Sequence, residues 1–194
     1  MDKISIGIAA GYIYTSVFLS KNGLIINYLF FKNSEFSKLI AENIDLLLKN
    51  NNIYKIDYIT IFTGPTPLTT CRSICAWVKG WSLTKNILVV DVFGSEFYID
   101  NENNSVIISL FSQKYILVDF KNKEKIIEYK DINEININDF QLVTNNTSNK
   151  SFQSNFKSIN ILPNLKKISE KAFFIFNNRN KKSYKNNIVP YTIL

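Results

Sequence analysis

Nucleophilic and acid–base chemistry near neutral pH usually rests on histidine, activated cysteine or paired carboxylates. This chain of 194 residues has no histidine. An imidazole base, a Ser-His or Cys-His pair and an imidazole metal ligand are therefore all excluded. Its two cysteines, Cys71 and Cys75, stand four apart in a helical pattern, which turns both toward one face as small apolar groups. A disulfide is not expected there, and two thiolates alone do not close a zinc site. Catalysis by carboxylate or lysine stays formally open, but no spacing of such residues points to it. The most suggestive segment is GPTPLTTCRSI at 64–74, a turn that follows an apolar strand and opens a helix. As a phosphate cradle it lacks the Walker lysine and has too little glycine. Read alone, it is a strand-turn-helix connection whose Gly-Pro ends the strand and whose Thr caps the helix. No catalytic residue, metal ligand or cofactor is assigned.

Charge is the second chemical resource. The formal net charge is +7, spread unevenly: residues 1–100 carry nine basic against eight acidic groups, and residues 101–194 fourteen against eight. Lys166, Lys167, Lys181 and Lys182 sit in the basic end and can attract a phosphate backbone, tRNA included. The competing account is compositional, since Asn, Lys and Ile are abundant throughout. No apolar run approaches the ~18–20 residues of a membrane span, and the N-terminus lacks the pattern of a secretory signal. The expected compartment is the cytoplasm.

The elements that must position these residues follow from periodicity. Lys3–Ala10, Tyr12–Ser20 and Leu24–Phe31 read as a three-strand meander, with Asn22-Gly23 as a hairpin turn. Ser34 is placed to cap a helix that carries Phe36, Leu39, Ile40, Ile44 and Leu47 at helical spacing and stops near Asn50. Asp57–Phe62 is nearly all apolar and reads as a central strand. A second helix runs from Thr69 or Thr70 to about Trp81, and Ile87–Asp91 is a fifth strand. The order β-β-β-α-β-α is that of an α/β, actin-like (RNase H-like) lobe. Ser105–Phe111, Lys114–Phe120, Lys125–Tyr129 and Phe140–Thr144 repeat it in reduced form. A helix spans Pro163–Phe176, and Ile188–Leu194 reads as extended. The expected division is an N-terminal lobe at 1–100 and a smaller, basic lobe at 101–194.

The segment GPTPLTTCRSI resembles the GPGSFTGLRIG motif of the TsaB (YeaZ) family. Gly64, Pro65, Thr69 and Arg72 match in register, and Leu68 and Cys71 replace Phe and Leu. The preceding helix and strand, NSEFSKLIAENIDLLLKNNNIYKIDYITIFTGP, and TSVFLSKNG at 15–23 are similar to the same family. The family's C-terminal Pro-x-Tyr-x-Arg is only echoed by Pro190 and Tyr191. Thr66, Thr70 and Ile74 stand where the family has glycines, and Ala9 where it has a strand-one Asp. In the wider actin-like superfamily that Asp orients metal and phosphate. The resemblance implies a two-lobed actin-like fold and a non-catalytic scaffold role in tRNA threonylcarbamoyladenosine modification. It further implies a TsaD-like catalytic subunit and a TsaE-like ATPase as partners, with tRNA reached through the complex. A small-molecule kinase of the same superfamily and a basic RNA-binding module are the alternatives. The kinase would need the acidic residue and glycines that are missing.

A partner surface has its own trace. On an ideal wheel, the apolar residues of the first helix, from Leu39 and Leu46 round to Ile44 and Leu48, span an arc of about 200°. Covering one sheet needs little more than ~100°. Trp77 falls off the centre of the second helix's buried face, and Arg72 lies opposite that face, toward solvent. Either neighbouring loops and the second lobe bury the excess, or a partner does. The partner can be a TsaD-like subunit or a second copy. The interface candidates are Leu39, Ile44, Leu46, Leu48 and Trp77.

Overall fold

The computed structural model describes residues 2–99, 105–109, 114–118, 124–128, 140–143, 158–159 and 162–178. The chain divides into two compact units. One comprises Met1–Phe93 together with the chain from Leu165 onward, and the other comprises Gly94–Asn164. This differs from the division at residue 100 expected above. The last helix belongs with the first unit, because its apolar face is buried on the first sheet.

The first sheet holds β1 (Ile4–Ala10), β2 (Tyr14–Lys21), β3 (Leu24–Lys32), β4 (Tyr58–Phe62) and β5 (Leu88–Val92) in the order β3-β2-β1-β4-β5. β1, β2 and β3 are antiparallel neighbours, whereas β4 runs parallel to β1 and β5 parallel to β4. Asn22 and Gly23 both have positive φ, +53° and +82°, which is the geometry a two-residue hairpin demands. β1 and β4 are central and covered on both faces, so their sequences ISIGIAA and YITIF are apolar almost without alternation.

Helices α1 (Phe36–Asn50) and α2 (Leu68–Lys85) cover one face. Phe36, Ile40, Ile44 and Leu47 from α1 meet Cys71, Ile74, Cys75 and Val78 from α2 over Ile6, Ile8, Val17, Leu19, Ile59 and Ile61. Each such side chain contributes on the order of 1.5–3 kcal/mol by leaving water. A short 3-10 turn at Asn33–Glu35 precedes α1, and Ser34 makes no side-chain cap. The opposite face takes α3 (Leu165–Asn178), where Phe176 stacks on Tyr58 at 4.3 Å between ring centroids and Ile168 and Ala172 are buried. Two charges close the lower edge. The Asp57 carboxylate accepts from the Ile4 N–H at 2.9 Å and from Lys3 Nζ at 3.2 Å.

The second unit carries a sheet of the same connectivity. β6 (Ser105–Ser109), β7 (Lys114–Val118), β8 (Glu124–Glu128), β9 (Phe140–Val143) and β10 (Ser158–Ile159) lie in the order β10-β9-β6-β7-β8. β6–β8 form the antiparallel meander, and β9 lies parallel to β6. Among the described residues this unit contains no α-helix.

Candidate functional site

In a sheet of this topology, ligands usually sit outside the carboxyl ends of the parallel strands. Here those ends are Ala10, Phe62 and Val92. Neither the hairpin at 11–13 nor the loop at 63–67 contains a charged residue. Ala9 is fully buried between Ser16 on β2 and Phe62 on β4, so a methyl group occupies the place expected for an aspartate. The hairpin carbonyls are taken by side chains of the same unit. Asn33 Nδ2 donates to the carbonyls of Gly11 and Tyr12, both at 3.1 Å. Thr15 Oγ1 donates to Asn33 Oδ1 at 2.8 Å, and Thr66 Oγ1 donates to the Gly11 carbonyl at 3.3 Å. Thr66 thus does more than displace a glycine: its hydroxyl ties the loop after β4 to the β1–β2 hairpin. Among the described residues no group of three His, Cys, Asp or Glu could hold a metal ion.

Gly64 and Pro65 are buried at the end of β4, and Gly64 has φ +127°, a conformation that side-chain-bearing residues rarely adopt. This part of the motif is a backbone requirement. Thr69 and Arg72 are exposed on α2. α2 opens after Pro67 without a side-chain cap, one to two residues earlier than periodicity suggested, and runs four residues past Trp81. The two thiols lie inside the core. Cys71 Sγ donates to the Thr63 carbonyl at 3.3 Å and stands 4.0 Å from Cys75 Sγ; the contact with the Cys71 side chain holds the Cys75 thiol below its ordinary range.

The outer side of α1 and α2 is different. Leu46 is 42% exposed, while Leu39, Leu48 and Trp77 are half-buried at the margin of the core. Ile44 corrects the expected set: only 3% exposed, it is a core residue, because its position on α1 points at the sheet. Trp77 packs against Trp81 with centroids 5.1 Å apart. A groove of about 520 Å³ runs beside Trp77 between Phe36, Ser37, Ser73 and Ala76. A second, of about 530 Å³, lies beside Trp81 and is lined by Leu48, Asp45, Tyr54 and Lys85. The Trp81 margin was not singled out from sequence, where Trp81 marked the approximate end of the second helix. Of the basic candidates, Lys166 is exposed on α3 and Lys167 is half-buried. Lys181 and Lys182, like the segment Ile188–Leu194, lie outside the described residues. No described helix is long and apolar enough to cross a membrane.

No protein-family model matches the sequence, and no curated protein matches it either. Solved structures do. YeaZ from Pseudomonas aeruginosa superposes with a TM-score of 0.64 at 12% identity, over 90% of this chain and 92% of that one. An uncharacterized protein described as similar to peptidase YEAZ from Pseudomonas aeruginosa gives 0.69 at 11% identity, over 98% and 99%. The likeness covers both lobes, so the chain has the fold of YeaZ, the actin-like arrangement that the motif at 64–74 implied.

Proposed function

We propose that this protein is a TsaB-like, non-catalytic subunit supporting tRNA threonylcarbamoyladenosine modification, and that it docks a TsaD-like catalytic partner through α1 and α2. The observation that carries the reading is a contrast within one lobe. The ends of β1 and β4 lead into loops without charge, and the hairpin after β1 is closed by hydrogen bonds from Asn33 and Thr66. The α1–α2 surface instead leaves Leu46 and the Trp77–Trp81 pair at the margin of the core beside two grooves. A half-buried tryptophan pair beside exposed leucine suits the aromatic-rich composition of an interface hot spot. The YeaZ-like fold over nearly the whole chain supports the same reading. A TsaE-like ATPase and tRNA would join through the assembled complex in the cytoplasm, with Lys166 and Lys167 adding at most a non-specific phosphate attraction.

The test is association with a TsaD-like subunit recovered from the native cell. Trp77→Ala should lose at least ~2 kcal/mol of binding, more than 10-fold in Kd, and Leu46→Arg should weaken it while leaving thermal unfolding unchanged. Leu48→Arg is the less clean probe, because Leu48 packs on the core. Native affinity in folded Trp77→Ala and Leu46→Arg variants would place the interface elsewhere.

A further inference from the structure

Residues 11–34 carry no Asp or Glu, and within them β3 turns a row of large side chains to solvent. Leu24 is 64% exposed, Ile26 45%, Tyr28 53% and Phe30 58%. The opening arises from where α3 lies. That helix stacks Phe176 on Tyr58 of β4 and sets Phe173 against Gly23 in the β2–β3 turn, so beyond the turn this face of β3 stays open. From Asn27 to Lys32 the pairing with β2 is regular, with Phe18 opposite Tyr28, Ser16 opposite Phe30 and Tyr14 opposite Lys32. Strand alternation therefore puts Tyr28, Phe30 and the exposed Lys32 on one face, with Tyr14 beside them. Phe30 meets Tyr14 edge to face, with centroids 5.9 Å apart, which fixes the tilt of both rings. Three aromatic rings and one ammonium group thus share a patch two strands wide, and neither strand carries a carboxylate.

We infer that this face is a stacking platform for single-stranded nucleic acid, with bases on Tyr28 and Phe30 and a phosphate at Lys32. Exposed aromatic rings on an open sheet face, next to a cation, are how sheet-based modules hold unpaired bases. Spacing selects the single strand. Tyr28 and Phe30 are two residues apart on one strand, so their Cα atoms stand about 6.7 Å apart. That is about twice the 3.4 Å rise of a stacked strand, and neighbouring bases must part from each other to meet both rings. A duplex cannot do so without unpairing. Charge selects nucleic acid over a protein surface. An apolar protein partner gains nothing from the absence of acidic groups, whereas a polyanion does, and the whole chain carries +7. Lys21, the other cation of the two strands, is held by Asp2 at 2.7 Å, so Lys32 is the phosphate contact. Two stacked bases and one fixed phosphate make the binding sequence-tolerant and modest, with a Kd on the order of 1–100 μM at low salt. The inference does not rest on the role proposed above, because it concerns this chain alone and shares no residue with the α1–α2 surface.

The experiment is fluorescence anisotropy of the full chain at low salt with a labelled RNA strand of about ten nucleotides, alone and annealed to its complement. The expected result is that the single strand binds at least ~10-fold tighter than the duplex. Tyr28→Ala combined with Phe30→Ala should weaken single-strand binding at least ~10-fold and remove that preference. Lys32→Ala should lower the salt slope of log K by about 0.7, and Trp77→Ala should leave single-strand binding unchanged. If the double alanine variant does not fold, ultraviolet crosslinking of the unmodified chain to a strand carrying 4-thiouridine decides the matter, with crosslinks expected at Tyr14, Tyr28 or Phe30. Equal affinity for single strand and duplex overturns the inference, since phosphate attraction alone would then account for the binding. So does a single-strand preference that survives the loss of both rings, an affinity that Trp77→Ala abolishes, or a set of crosslinks confined to other residues. An absence of binding overturns it as well, including the case where the face takes another protein.

Discussion

Gly7 lies in the middle of β1, opposite Phe18 on β2 and Thr60 on β4, and the Phe18 ring lies directly over it. A Cβ added to Gly7 would fall within that ring. Carbon atoms settle at about 3.5–4.0 Å, so Gly7→Ala obliges the ring to retreat by on the order of 1.5 Å. It has no room, since Phe18 and Tyr58 are fully buried on this face beneath α3. Overpacking of this kind costs about 1–3 kcal/mol, and the better backbone propensity of alanine returns roughly 0.5–1 kcal/mol. The net expectation is a loss of ~1–2 kcal/mol, or about 2–8 °C in Tm for a chain of this length. Urea unfolding of four proteins makes the test a cycle: the natural chain, Gly7→Ala, Phe18→Leu and the double variant. Because leucine vacates the space over Gly7, the double variant should be more stable than additivity predicts by at least ~1 kcal/mol. Strict additivity, or a Gly7→Ala variant within ~0.3 kcal/mol of the natural chain, would refute the packing argument.

Two further outcomes follow. Calorimetric titration with Mg-ATP should give no micromolar binding, because Ala9 and the uncharged loops at 11–13 and 63–67 offer nothing to a metal or a phosphate; a micromolar isotherm would revive a kinase. Asp57→Ala should cost about 1–3 kcal/mol in urea unfolding, since it strands the Ile4 N–H that the carboxylate accepts; an unchanged midpoint would show that solvent satisfies that group equally well.

Much of this architecture was legible in the sequence, and the reasons are local. Asn22-Gly23 announced its turn because few residue pairs accept two positive φ angles. YITIF announced a central strand because it is apolar on both faces. The return of α3 to the first sheet was not legible: Ile168, Ala172 and Phe176 give a helix an apolar face, but nothing local names the sheet that receives it. Leu24–Phe31 was equally ambiguous. An all-apolar strand reads as interior, and only the strand order reveals an edge. The closure of the hairpin after β1 was hidden for a related reason, because Asn33 meets Gly11 across 22 residues and Thr66 meets it across 55. Ile44 entered the surface set because the wheel alone measures the width of an apolar arc and cannot say which flank the sheet takes.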